Sequence, residues 1–169
     1  MKKILFCLIP LLLVSCTIND DVVEDLRDYS DYSEFSLSSI DQLYTKEEGN
    51  YIVEIFFPEC PHCKAIKSNI FDYLDLQKNN SEMKKLYFFD IRSSSSLAGN
   101  SNRDKFKTKP ENYSNIRDIL IDEMRGAKPS TLEETYFFGT PSLYEINNNS
   151  FFDLYVGSTN ITNYLASIS

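Results

Sequence analysis

Tryptophan is absent from this 169-residue chain, histidine occurs once, and 17 basic residues face 25 acidic ones. The formal net charge of −8 argues against a nucleic-acid partner, and anionic lipid head groups would repel it, so membrane attachment has to come from something other than charge. Cysteine is scarce too, with four in all. Cys7 and Cys16 belong to the N-terminal apolar segment and have other fates there, which leaves Cys60 and Cys63 and excludes a structural disulfide framework. Two thiolates and His62 fall short of the four ligands that tetrahedral zinc takes, so neither a metal nor a cofactor is expected. Copper(I), which could accept the two sulfurs alone, is the metal-handling alternative. No internal repeat is visible, and the length suits one domain.

Residues 1–16 combine a basic start at Lys2 and Lys3, an apolar run from Ile4 to Val14 and small residues before a cysteine. The run is too short to span a bilayer comfortably, and such flanks fit a cleaved export signal. Leu13-Val14-Ser15-Cys16 resembles a bacterial lipoprotein signal. That resemblance implies a signal peptide over 1–15, acylation of Cys16, and a lipid-anchored protein on the extracytoplasmic side of a bacterial membrane. Residues 16–35 follow as an acidic tether, since Asp20, Asp21, Glu24, Asp25, Asp28, Asp31 and Glu34 repel one another and extend the chain. Val22, Leu26 and Tyr29 share a helical stripe through which part of it could dock.

The remaining cysteines frame residues 60–63, Cys-Pro-His-Cys, directly after the apolar run Tyr51–Phe57 and ahead of helical periodicity over Lys64–Leu76. A strand followed at once by a helix puts the first sulfur beside unpaired backbone N–H groups and the positive end of a helix dipole, which favours thiolate over thiol. Pro61, with no N–H and a preset φ, suits the first helical turn. In an oxidising compartment, a lone closely spaced pair is a working couple rather than a staple, because the loop it closes is too small to restrict the unfolded chain.

Around this centre the pattern predicts a short helix over Ser38–Glu48, a strand buried on both faces over Tyr51–Phe57, and a second buried strand over Lys85–Ile91. Two such strands joined by a helix make a right-handed parallel βαβ unit. Ser93–Asn112, Ser/Asn-rich and then basic at Arg103, Lys105, Lys107 and Lys109, reads as a mobile loop. A helix is expected over Asn115–Arg125, with Ile116, Ile119, Leu120 and Met124 on one side and Gly126 as its stop. Strands Leu143–Ile146 and Phe151–Val156 then form an antiparallel hairpin, and a closing helix after Gly157 buries Ile161, Tyr164, Leu165 and Ile168.

This order resembles the thioredoxin-like family of thiol–disulfide oxidoreductases over residues 36–169. The resemblance is carried by Cys60-Pro61-His62-Cys63, by Glu54 within the preceding strand, by Pro141 opening the hairpin, and by Gly157. It implies an α/β fold with a central mixed sheet flanked by helices and a loop/helix insertion before the strand that Pro141 opens. It further implies Cys60 as the more exposed nucleophile, Cys63 as the resolving thiol, and His62 as a donor toward the Cys60 thiolate. Glu54 is expected to be a buried acid–base behind the pair, and Thr140 with a cis Pro141 to bind an extended substrate. Pro-His between the cysteines is the dipeptide of DsbA-type oxidases. Three departures stand against that: Glu59 occupies the position where many relatives carry tryptophan, no proline interrupts the helix after Cys63, and the Ile91–Thr140 connection is shorter than the DsbA insertion.

The expected activity is disulfide exchange through Cys60 and Cys63 with protein thiols and disulfides of exported polypeptides, coupled to a membrane redox partner. Direction is open between oxidase and thioredoxin-like reductase. A copper-handling protein and a non-catalytic binding lipoprotein are the alternatives from other classes.

Overall fold

The structure, a computed structural model, describes residues 25–93 and 102–169. The expected signal over 1–15, the expected acylation at Cys16, Val22 and the first part of the expected tether lie outside the described residues.

Four strands, β1 (Tyr51–Phe56), β2 (Lys85–Asp90), β3 (Ser142–Asn147) and β4 (Ser150–Val156), form one mixed sheet in the order β2-β1-β3-β4. β1 pairs with β2 in parallel and with β3 antiparallel, and β3 pairs with β4 antiparallel. The β1–β2 crossover is helix α1 (Pro61–Asn79), followed later in the chain by α2 (Arg117–Ala127) and α3 (Ser158–Ile168). Every residue of β1 is buried, because alternate side chains serve different layers. Ile52 and Phe56 join Leu86, Phe88 and Leu143 under Ile66, Ile70 and Leu74 of α1 and Ile161 and Leu165 of α3. Tyr51, Val53 and Ile55 join Tyr87, Phe89, Tyr144 and Ile146 on the opposite face, with Leu120, Ile121 and Met124 of α2. Truncating any such aliphatic residue to alanine costs about 2–5 kcal/mol. Asn148 and Asn149 turn the β3–β4 hairpin at φ 51° and 56°, a conformation asparagine tolerates and two-residue hairpins require.

Three segments depart from the sequence expectation. The acidic stretch is folded from residue 25 onward, so the domain boundary expected at 36 falls within an ordered segment. Asp28 caps a 3-10 helix at Tyr29–Phe35, kinked at Tyr32, whose own Asp31 bonds back to the Asp28 N–H. At three residues per turn, Tyr29, Tyr32 and Phe35 share one side. Tyr29 stacks on Phe56 at 3.8 Å, and Tyr32 is buried against Phe71. Arg27 bonds Asp25, Asp72 and Asp75, matching the carboxylates whose repulsion would otherwise extend the chain. Leu26, expected on the docking stripe, is 89% exposed.

The expected loop over Ser93–Asn112 is likewise packed from residue 102. Phe106 is buried, and the Lys107 N–H reaches the Leu132 and Thr135 carbonyls. α2 begins later than predicted and runs through Gly126, stopping at Lys128 in the left-handed region. Its buried stripe is accordingly Leu120, Ile121 and Met124, while Ile119 is 66% exposed.

Candidate active site

Cys60 is the N-cap of α1 and Pro61 its first residue. The Cys63 N–H, one of the helix's orphan donors, points at Cys60 Sγ from 3.3 Å. Facing it from the β3 side, the Thr140–Pro141 peptide bond is cis and the Gly157 N–H bonds the Pro141 carbonyl at 3.0 Å. Thr140 meets Cys60 with two groups: its carbonyl accepts from the Cys60 thiol at 3.6 Å, and its hydroxyl donates to Cys60 Sγ at 3.6 Å. The carbonyl suits the thiol and the hydroxyl suits the thiolate, so one residue serves both protonation states.

Both cysteines are free thiols. Cys60 and Cys63 are 4% and 3% exposed, so the expected contrast in exposure is not there; α1 buries both side chains at its first turn. Their environments nonetheless separate them. Burial raises the Cys60 pKa, but the Cys63 thiol and N–H, the Thr140 hydroxyl and the His62 N–H all stabilise its thiolate and bring it below the ordinary thiol value. Cys63 is pushed up to about 12, by burial first, then by its hydrogen bond with the Cys60 side chain, and after that by the Cys60 and Glu54 charges. Cys60 is therefore the sulfur that ionises and Cys63 the one that holds its proton.

Glu54 lies in the middle of β1 and is 0% exposed. Burial lifts its pKa to about 8, opposed by hydrogen bonds from Tyr29 and reinforced by the Cys60 charge. The Tyr29 hydroxyl lies 3.2 and 3.1 Å from the two carboxylate oxygens. Tyr29, Phe56, Phe57, Pro58, Cys63 and Lys64 line a cleft of about 590 Å³ that opens this side of the pair to solvent. The His62 imidazole is exposed and makes no hydrogen bond among the described residues; what residue 62 contributes is its backbone N–H. Glu59 pairs with Arg92 at 3.2 Å, and that guanidinium rests on Phe57 at 3.6 Å.

The sequence places Tyr29 on a docking stripe with Val22 and Leu26 but gives no sign of its contact with Glu54; the three-residue spacing of Tyr29, Tyr32 and Phe35 is the available signal of the aromatic face that docks. Among the described residues no group of three or more His, Cys, Asp or Glu side chains is placed to hold a metal ion.

A parallel β1-α1-β2 unit, an antiparallel β3-β4 hairpin on the other side of β1, a cysteine pair at the mouth of α1 and a cis proline before β3 define a thioredoxin-like fold. Among solved structures the chain is similar to the thioredoxin of Malassezia sympodialis, at 12% identity over 79% of this chain and 88% of that one, with a TM-score of 0.42. It is also similar to a Plasmodium falciparum thioredoxin, at 14% identity over 80% and 96% with a TM-score of 0.39, and to thioredoxin from Aeropyrum pernix, at 18% over 75% and 76% with a TM-score of 0.36. No protein-family model and no curated protein matches it.

Proposed function

We propose that this chain is an extracytoplasmic, lipid-anchored thiol–disulfide oxidoreductase that donates the Cys60–Cys63 disulfide to exported polypeptides. One observation carries the reading: Cys60 Sγ, at the mouth of α1, receives the Cys63 N–H at 3.3 Å and the Thr140 hydroxyl at 3.6 Å, contacts that favour its thiolate, while the Cys63 thiol is pushed up to about 12. A couple whose reduced form is stabilised is an oxidant.

The exchange follows from that asymmetry. A partner thiolate attacks Cys60 Sγ of the oxidised pair, and the S–S electrons pass to Cys63, which takes its proton from Glu54. With a pKa of about 8, Glu54 holds that proton at neutral pH. A second partner thiolate then attacks the partner sulfur of the mixed disulfide, and Cys60 leaves as the thiolate held by the Cys63 and His62 N–H groups and the Thr140 hydroxyl. The partner loses two electrons and gains a disulfide, and the pair gains both as a dithiol. A membrane redox partner restores the pair by the reverse steps.

Membrane attachment rests on Lys2, Lys3, the Ile4–Val14 run and Leu13-Val14-Ser15-Cys16. Acyl chains on Cys16 are the anchor this reading supplies. The decisive experiment equilibrates the purified domain with glutathione buffers and quantifies alkylated Cys60 and Cys63. A potential near about −120 mV is expected; one near about −270 mV would make the chain a reductase, and failure to equilibrate would overturn the exchange reading. Palmitate labelling of cells should mark the protein and be lost in Cys16→Ser.

A further inference from the structure

A second cleft, of about 550 Å³, adjoins the site on the Thr140 side. It is built from the segment inserted between β2 and β3, and its size falls in the range of roughly 300–1,000 Å³ typical of ligand pockets. Its apolar walls are Phe137, Phe138 and Tyr113, and its charged lining is Arg103, Asp104, Lys107 and Lys109. Lys107 is matched by Glu123 at 3.2 Å. Neither Arg103 nor Lys109 pairs with a carboxylate among the described residues; each lies over a ring, Arg103 5.8 Å from the Phe137 centroid and Lys109 3.7 Å from that of Tyr113. On a chain of net charge −8, this is a basic and aromatic surface that continues, through Gly139, to the residue in contact with Cys60.

We infer that this cleft selects the redox partner: it takes a segment bearing acidic side chains beside the reacting cysteine, with Arg103 and Lys109 meeting the carboxylates and Phe137 and Phe138 the apolar side chains between them. The inference rests on the exchange activity proposed above and names its substrate class. Two features favour an acidic occupant. A basic one would face Arg103 and Lys109 set against the single carboxylate of Asp104, a local repulsion. An acidic one is attracted locally once salt of about 0.15 M, with a screening length of about 8 Å, mutes the chain's net charge of −8 and leaves the cleft's own charges in control. Cations held over aromatic rings are also partly oriented before the partner arrives.

The test uses full-length domain and three substrates: uncharged hydroxyethyl disulfide, and two cysteine peptides of equal length and aromatic content whose flanks are Asp/Glu or Lys/Arg. The oxidised protein should react with the acidic peptide about fivefold faster than with the basic one at about 0.15 M salt, where the net charge of the chain is screened beyond the cleft, and the ratio should fall toward one at about 1 M. The double variant R103E/K109E should invert the preference while leaving the reaction of the reduced protein with hydroxyethyl disulfide unchanged. Equal rates with both peptides, or a preference that survives charge reversal, would overturn the inference. Absence of reaction between the reduced, unaltered protein and hydroxyethyl disulfide would instead overturn the redox reading itself, so the two failures are distinguishable.

Discussion

Tyr29 shows how one hydroxyl tunes a buried acid. A hydrogen bond to a carboxylate favours its charged form, so the Tyr29 contacts pull Glu54 down while burial, the larger effect, lifts it to about 8. Removing the hydroxyl in Tyr29→Phe keeps the stack on Phe56 and leaves burial unopposed. The Glu54 pKa should then rise by roughly one unit, the equivalent of a hydrogen bond worth about 1–1.5 kcal/mol. Stopped-flow measurement of the Cys63-dependent step across pH 6–10 would show its midpoint move upward in the variant. A midpoint that stays put would mean that Tyr29 does not set the acidity of Glu54.

Among the elements, α2 and the 3-10 helix at Tyr29–Phe35 illustrate opposite ways in which packing overrides pattern. Isoleucines at 116 and 119 and leucine at 120 fit one helical stripe on paper, yet the helix is rotated so that Ile121 turns inward and Ile119 outward. Ile121→Ala should cost about 2–5 kcal/mol in urea unfolding and Ile119→Ala no more than about 0.5 kcal/mol. The reverse order would restore the paper stripe. In the 3-10 helix and its approach the reverse holds: over residues 25–35 four carboxylates face one base, but Arg27 ties the segment to Asp72 and Asp75 of α1, and three aromatic rings supply the buried area that charge alone withholds.

For the molecule as a whole, the buried Glu54 makes stability depend on pH in a direction opposite to that of a salt-bridged carboxylate. The unfolded chain releases the Glu54 proton near the ordinary value of 4.5, whereas the folded chain holds it to about 8. Between those values the unfolded state binds fewer protons, so stability falls as pH rises, and the loss is complete above about pH 8. That difference corresponds to roughly 5 kcal/mol at 1.36 kcal/mol per pKa unit. Urea unfolding at pH 6 and pH 9 should show a marked loss in the unaltered protein and a much smaller one in Glu54→Gln, which carries no proton to lose. Parallel pH dependence in the two proteins would show that Glu54 ionises as freely folded as unfolded.

The sequence by itself determined the local grammar of this protein. Apolar continuity marked β1 and β2 as doubly covered, asparagines marked the hairpin turn, and Cys60-Pro61-His62-Cys63 marked a helix mouth, because strand burial, turn geometry and capping are each written within a few residues. Burial of Glu54 was legible for the same reason, as a charge inside an apolar run. Only the tertiary structure decided which groups meet across long separations. It brought Tyr29 to Glu54, Thr140 to Cys60, and the 102–112 segment against the strands, and it gave the two cysteines nearly equal exposure with opposite pKa shifts. Such pairings depend on how layers stack and on what water they exclude, and the energy of excluding water from a shared surface belongs to no single stretch of chain.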